Sequence, residues 1–195
     1  GLPLWTMFAM GWMATPAQSQ AQDKARQANI ILIMADDIGY ECYGTYGGTS
    51  YETPRIDRLA AAGIRFRHCY SQPLCTPSRV KIMTGLSNVR NYAGFSILRK
   101  KEKSFAHMLQ DVGYHTAIAG KWQLYGAEHY SPGFRAKGAL PRQMGFDRHC
   151  LWQVNKLGSR FWEPSVTIDG KLKVFGKETY GPDIYCQYLL DRMEE

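Results

Sequence analysis

Two residues in the stretch LCTPSRVKIMTG, Cys75 and Arg79, have the types and spacing for chemistry on an anion. Pro77 is favoured in the first turn of a helix, and the glycine that ends the stretch could close one. The stretch therefore predicts a short helix with Thr76 or Cys75 at its cap. Cys75 would then lie beside unpaired backbone N–H groups at the positive end of the helix dipole. Arg79 adds a permanent positive charge about one turn further along the helix.

The local pattern also fits a packed thiol before an ordinary helix, because free cysteines are among the most buried residues. The sequence holds five cysteines, at positions 42, 69, 75, 150 and 186. None of them has the spacing of zinc ligands, and an odd number leaves at least one unpaired in an exported protein. Cys75 is the candidate for a thiol with a separate role.

A second candidate for chemistry is an acidic pair, Asp36 and Asp37. It ends the continuous apolar run NIILIMADD, residues 29–37, which predicts a buried parallel strand. In open α/β sheets, ligands bind beyond the carboxyl ends of the strands. Carboxylate oxygens favour Ca²⁺ or Mg²⁺ over zinc. A turn-forming acidic pair before Gly39 is the alternative interpretation.

The elements that would position these residues alternate between helices and strands. Capping residues, apolar stripes and closing glycines predict helices over 53–63 and 104–113, and a last helix from near Pro182 to the end of the sequence. Apolar runs predict strands over 64–70 and 114–119, and alternation around a central Asp-Gly pair predicts a hairpin over 165–174. Lys121 falls just after the 114–119 strand, on the rim of the two aspartates if the sheet is parallel. This order predicts a doubly wound α/β domain.

The beginning of the sequence predicts export. Residues 1–21 carry no charge, and their apolar run followed by small and polar residues is typical of a secretory signal. The run is shorter than the roughly 20 apolar residues of a transmembrane helix, so we expect no stable membrane insertion. We therefore expect a periplasmic or secreted protein with residues 22–195 in one domain.

The formal net charge of +7 favours anionic partners without choosing among them. The densest basic run, RKKEK at 99–103, is accompanied by no nucleic-acid-binding motif. A solvated loop is the interpretation that we prefer for this run, so we expect no nucleic-acid partner.

The sequence resembles the type I sulfatases, which depend on formylglycine and belong to the alkaline phosphatase-like superfamily. The resemblance is carried by CTPSRVKIMTG at 75–85 and GYHTAIAGKW at 113–122, with ADDIGY at 35–40 and ETPRIDRLAAAGIRF at 52–66 upstream. It implies an α/β fold with a mostly parallel sheet flanked by helices. The family's later motif, with the remaining metal ligands and the leaving-group acid, does not follow the second motif here. We therefore expect the N-terminal part of a catalytic domain, incomplete and inactive by itself.

The resemblance also implies a role for each candidate residue. A formylglycine-generating enzyme would oxidise Cys75 to an aldehyde, whose hydrate would attack the sulfur of a sulfate ester and form a covalent sulfo-enzyme. In this form Cys75 would also bind Ca²⁺, together with Asp36 and Asp37. Arg79 would hold the hydrate, and Lys121 would contact the sulfate oxygens. The substrate would be a sulfated small molecule or a sulfated glycan.

One residue departs from the family pattern. Gln123 follows the Lys-Trp pair at a position where many members have histidine, and an amide cannot carry a proton at neutral pH. Gln123 is a candidate contact to the substrate or the nucleophile, and an ordinary polar loop residue is the alternative.

Two other functions stay open from the sequence. One is a phosphonate or phosphate ester hydrolase of the same superfamily. The other is an inactive sulfatase-like protein that binds sulfated glycan through its basic surface, in which Cys75 would stay unmodified. Trp152, Phe161 and Trp162 lie in a long irregular segment and could stack on a sugar or anchor the loop.

Overall fold

The computed structural model describes residues 27–194. The predicted signal segment, residues 1–21, lies outside the described residues. The chain divides into two compact units, with the boundary after Gly39.

The described part of the first unit, residues 27–39, contains no helix or strand. The apolar side chains of residues 30–33 are between 60% and 83% exposed. The strand predicted over 29–37 therefore does not form. A buried strand needs a neighbour that accepts its backbone hydrogen bonds, and no pairing joins these residues to a described strand.

The second unit is built on a four-stranded sheet in the order β1 (Ala117–Lys121), β2 (Arg148–Trp152), β3 (Ser165–Ile168) and β4 (Lys171–Val174). Strands β1 and β2 are parallel, whereas β2–β3 and β3–β4 are antiparallel. The sheet of the described residues is thus mixed rather than mostly parallel. Its last pair is a hairpin that turns at two left-handed residues, Asp169 and Gly170, and this confirms the predicted hairpin.

The described residues also contain five α-helices: α1 (Pro54–Ala62), α2 (Cys75–Thr84), α3 (Asn88–Asn91), α4 (Phe105–Gln110) and α5 (Gly181–Met193). Short 3₁₀ helices occupy Tyr40–Cys42, Gly44–Tyr46 and Pro141–Met144. The helices predicted at 53–63, 104–113 and near Pro182 are confirmed as α1, α4 and α5. None of the helices in the described residues has the length and apolar character needed to cross a membrane.

The ends of α2 follow the local sequence. The helix begins at Cys75, so Leu74 rather than Thr76 or Cys75 is the cap residue. It ends at Thr84, and the next residue, Gly85, has a left-handed φ of 67° and donates its N–H to the Lys81 carbonyl at 2.8 Å. Glycine adopts this conformation without the steric penalty of a side chain, so the helix ends where the sequence predicts.

The other strand predictions differ from the structure. Residues 64–70 are irregular, and Ile64 and Phe66 are exposed. The strand predicted over 114–119 is found, but it starts three residues later and includes Lys121. An apolar run forms a strand only where tertiary structure provides a partner, and of these two runs only the one that contains β1 has such a partner, β2.

The core of the second unit lies beside β1 and β2, where α2 and α4 contribute buried side chains. Trp122 is completely buried, and its indole N–H donates to the Ala139 carbonyl at 2.9 Å. Phe146 packs edge-on against it, with ring centroids 6.2 Å apart. Loss of a buried aromatic side chain of this size destabilises a protein by about 3–5 kcal/mol, so Trp122 firmly anchors the end of β1.

Candidate active site

Cys75 is the first residue of α2 and is partly buried, with its thiol in the free state. The preceding loop is attached to the helix by Ser78, whose hydroxyl lies 2.8 Å from the Leu74 carbonyl and accepts the Gln72 N–H at 3.0 Å. The Leu74 carbonyl also accepts the Ser78 N–H at 3.3 Å, so Ser78 attaches residues 72–74 to the first turn of the helix. The local sequence therefore places Cys75 at the N-terminus of the helix, as predicted.

Arg79 connects α2 to the end of β1. Its side chain is 7% exposed, and its Nη1 atom donates to the backbone carbonyl of Lys121 at 2.6 Å. A buried guanidinium requires such partners, because a charge removed from water without them is strongly destabilising. This bond joins two sequence motifs that lie 42 residues apart.

Lys121 and Trp152 are the last residues of the parallel strands and are direct partners in the register. The pairing continues beyond the strands, because Trp122 donates its N–H to the Trp152 carbonyl at 2.9 Å and Gln123 donates to the Gln153 carbonyl at 3.2 Å. The carboxyl ends of both strands therefore lie side by side at one end of the sheet, which we call the carboxyl edge. Lys121 lies at this edge, as predicted.

Gln123 and Gln153 converge on one tyrosine at this edge. Their amide Nε2 atoms lie 3.2 Å and 3.0 Å from the Tyr130 hydroxyl oxygen, which accepts both bonds. Both glutamines are buried, at 6% and 4% exposure, and their Oε1 atoms have no hydrogen-bond partner within the described residues. Both also have left-handed φ angles, 52° and 59°. Non-glycine residues in this conformation are strained and occur preferentially at functional sites.

A short segment links this tyrosine to the start of α2. The Phe95 ring lies edge-on to Tyr130, with centroids 6.0 Å apart, and the next residue, Ser96, donates its N–H to the Thr76 hydroxyl at 3.0 Å. Ser96 is buried and also left-handed, with φ of 67°. Contacts within the second unit therefore connect four predicted site residues, Cys75, Arg79, Lys121 and Gln123.

Gln153 and Tyr130 are not among the site residues predicted from the sequence. Each lies far along the chain from Cys75 and has no motif around it. Only the parallel pairing of β1 and β2 brings Gln153 beside Gln123. A sequence signal for this arrangement is therefore absent.

Asp36 and Asp37 belong to the first unit. Asp36 is half-buried, and Asp37 is exposed with a left-handed φ of 59°. No group of three or more His, Cys, Asp or Glu side chains in residues 27–194 is arranged to hold a metal ion. Two adjacent carboxylates still have the chemistry that Ca²⁺ requires, so their role as metal ligands stays a prediction.

A separate polar cluster lies at the opposite end of β2 and has a structural role. Asp169 accepts hydrogen bonds from the His149 N–H at 2.9 Å and the Tyr188 hydroxyl at 3.1 Å. Burial acts to raise the pKa of Asp169, but these bonds and the nearby Arg148 charge outweigh it and lower the pKa below its ordinary value. Burial lowers the pKa of His149 and raises that of Cys150 to about 12, so this thiol is protonated at neutral pH.

The described residues hold part of an alkaline phosphatase-like α/β domain, in which a mixed sheet is flanked by helices. The family model described as Sulfatase matches residues 28–169. The chain therefore belongs to the sulfatase family.

Individual relatives agree with this assignment. Steryl-sulfatase of Homo sapiens is 41% identical over 131 residues, which cover 60% of this chain and 22% of that protein. N-acetylglucosamine-6-O-sulfatase of Bacteroides thetaiotaomicron is 30% identical over 178 residues, which cover 89% of this chain and 28% of that protein. The chain spans about a quarter of the length of the curated relatives that it matches.

A solved structure supports the fold directly. A protein in complex with its substrate, D-glucosamine-2-N,6-O-disulfate, matches with a TM-score of 0.64 and 29% identity, over 80% of this chain and 28% of that chain.

Proposed function

We propose that the complete protein hydrolyses sulfate esters and that Cys75, Arg79 and Lys121 belong to its catalytic site. The observation that carries this proposal is the bond from Arg79 to the Lys121 carbonyl. This bond attaches the helix that begins at Cys75 to the end of the strand that carries Lys121. The connected region has three sources of positive charge: the helix N-terminus, the Arg79 guanidinium and the Lys121 ammonium. Such a region suits an anionic ester.

Cys75 would act after its oxidation to formylglycine by a formylglycine-generating enzyme. The hydrated aldehyde supplies a hydroxyl nucleophile for sulfur and a second hydroxyl for release of the sulfo group. The chain's own residues would orient these groups. The helix N-terminus and Arg79 would stabilise negative charge beside residue 75, and Lys121 would donate to the sulfate oxygens as charge develops on them.

Asp36, Asp37 and the modified Cys75 would hold Ca²⁺. This assignment rests on the chemistry of the donors, because carboxylate and hydroxyl oxygens are ligands that calcium prefers. The bound ion would supply positive charge for the sulfate oxygens.

Gln123 would contact the substrate or the nucleophile without exchanging a proton. Its carboxamide is held by the Tyr130 hydroxyl, so its orientation is defined before any ligand arrives. A carboxamide does not titrate, and this contact would therefore be independent of pH.

The substrate would be a sulfated small molecule or a sulfated glycan, met after export to the periplasm or the cell exterior through the segment 1–21. We expect residues 1–195 alone to lack activity, because the leaving-group acid and the other metal ligands of the family have no match in them.

The test uses the complete protein produced together with a formylglycine-generating enzyme. We expect mass analysis of the peptide containing residue 75 to show the aldehyde, and we expect turnover of an aryl sulfate that Cys75→Ala abolishes. An unmodified, inactive protein that still binds sulfated glycan would overturn the proposal in favour of the binding function. Faster turnover of an aryl phosphate than of the matched aryl sulfate would overturn it in favour of phosphate ester hydrolysis.

A further inference from the structure

We propose that Trp152, Arg160, Phe161, Trp162 and Tyr180 form a platform that binds a sulfated oligosaccharide, with its sulfate ester directed to Lys121. The inference deepens the proposed function and depends on it, because it assigns the substrate class of the same site.

Lys121 and Trp152 are paired residues of β1 and β2. Side chains at paired positions of neighbouring strands lie on the same face of a sheet. The Trp152 side chain therefore leaves the sheet beside that of Lys121, at the carboxyl edge of both strands. Its indole N–H donates to the Gly158 carbonyl at 3.1 Å, which attaches the following loop to the ring.

The side chains of the platform form a continuous strip that extends from Trp152. The Arg160 guanidinium carbon lies 5.4 Å from the Trp152 ring centroid and 5.1 Å from that of Phe161. The Phe161 ring is nearly parallel to that of Tyr180, at 6.3 Å and 21°, and Trp162 lies 5.0 Å from Tyr180. The strip thus joins the edge that carries Lys121 to the start of α5.

Two of the rings are exposed among the described residues and are held by the backbone, whereas Trp152 and Tyr180 are half-buried. Phe161 is 49% exposed and Trp162 is 60% exposed. Gly181 donates its N–H to the Phe161 carbonyl at 2.6 Å, and Trp162 forms an antiparallel bridge with Tyr180. Exposed aromatic rings on an ordered backbone lose little conformational freedom when a ligand binds, which favours a binding role over an anchoring one.

The chemistry of the strip fits a sulfated saccharide. The C–H face of a pyranose ring packs on aromatic rings, and its sulfate groups bind cationic side chains. Here two cationic side chains, Lys121 and Arg160, lie along one aromatic surface, with Trp152 between them. Two cationic groups beside one ring suit a ligand that carries more than one anionic group, whereas a simple aryl or steroid sulfate carries one.

The preference for sulfate belongs to the Lys121–Arg160 end. Glu163 follows Trp162 directly and is exposed, so the far end of the strip is not cationic. We assign that end to packing against sugar rings. Loss of a ring there should weaken binding of sulfated and desulfated saccharides alike, whereas loss of the Arg160 charge should weaken only the sulfated form.

Binding is tested in the complete protein carrying Cys75→Ala, which prevents turnover. The probes are sulfated hexasaccharides with glycosaminoglycan and galactan backbones, each paired with its chemically desulfated form, and binding is measured by calorimetry. We expect at least one sulfated probe to bind. Trp162→Ala should weaken the affinity for this probe by about 10-fold or more, whereas Trp162→Phe should retain most of it. Arg160→Gln should reduce the ratio of sulfated to desulfated affinity, and Tyr51→Ala, an exposed tyrosine outside the platform, should change neither. Thermal unfolding checks that each variant is folded.

Two results would overturn the platform: no sulfated probe binding more tightly than its desulfated form, or unchanged affinity in folded Trp162→Ala. A parallel assay separates this failure from failure of the proposed function. In the mature protein, whose Cys75 has been converted to formylglycine, Trp162→Ala should raise KM for the sulfated oligosaccharide. The control Tyr51→Ala should leave both this KM and kcat/KM for 4-nitrophenyl sulfate unchanged. A mature protein that cleaves no sulfate ester would refute the proposed function, while the calorimetry would still report on the platform.

Discussion

The Nη1 atom of Arg79 lies 2.6 Å from the backbone oxygen of Lys121. A helix that begins at Cys75 is thereby attached to the end of a strand that carries the second sequence motif. Because the carbonyl is a backbone group, the bond depends on the position of the strand and not on the identity of the lysine side chain. Arg79 thus has a structural role in addition to its proposed positive charge.

We expect Arg79→Lys to be destabilising although it preserves the charge. An ammonium group on a shorter side chain cannot reproduce the planar, multiple donor geometry of a guanidinium. The free energy of unfolding should fall by about 1–3 kcal/mol, the range for a buried polar group that loses its partner. Chemical denaturation of the complete protein measures this, with exposed Arg90→Lys as the matched control. Equal stability of the Arg79 variant and the wild type would show that the bond to Lys121 contributes nothing.

Tyr130→Phe should affect both stability and the proposed activity. The substitution removes the oxygen that accepts hydrogen bonds from both Gln123 and Gln153. It leaves the buried Gln123 amide nitrogen without this acceptor and the Gln153 amide nitrogen with His129 Nε2 at 3.4 Å. We expect a loss of about 1–3 kcal/mol in unfolding free energy and a lower kcat for sulfate esters. Tyr51→Phe, at an exposed position, serves as the control. Unchanged kcat in Tyr130→Phe would separate this tyrosine from the catalytic site.

Gln123→His should introduce a pH dependence. A carboxamide does not titrate, whereas an imidazole ordinarily does so near pH 6.5. If Gln123 contacts the substrate or the nucleophile, the pH–rate profile of the variant should acquire a new inflection within about one unit of that value. Comparison of kcat/KM profiles for the wild type and the variant tests this. Identical profiles would favour the interpretation of Gln123 as an ordinary polar residue.

The stability of the protein should decrease on the acid side partly through His149. Burial lowers the pKa of this imidazole below 6.5 in the folded protein, while in the unfolded chain it keeps its ordinary value. Below about pH 6.5 the unfolded state therefore binds more protons, so the stabilisation is complete above that pH and is lost as the pH falls. The pKa of Asp169 is also lowered, so this carboxylate contributes a further loss of unfolding free energy at more acidic pH.

His149→Gln should therefore flatten the dependence of unfolding free energy on pH between about pH 7 and pH 5. Urea denaturation at a series of pH values measures the slope, and exposed His68→Gln is the control. An unchanged slope in the His149 variant would show that other groups cause the acid destabilisation.

Local signals in the sequence determined several elements by themselves. Proline near the start and glycine after the end define α2, and the Asp169-Gly170 pair defines the hairpin of β3 and β4. These signals act through φ angles and neighbouring backbone groups, so they need no distant partner. The two motifs also identified the family, because their residue types and order are specific.

Tertiary structure decided which apolar runs became strands and which side chains met. The runs at 29–37 and 64–70 resemble that of β1, yet only β1 has a neighbour that accepts its backbone hydrogen bonds. The convergence of Gln123 and Gln153 on Tyr130, like the placement of Trp152 beside Lys121, follows from the register of β1 against β2. Register is the alignment of two strands that are distant in the chain. The spacing of residues within either strand does not specify this alignment.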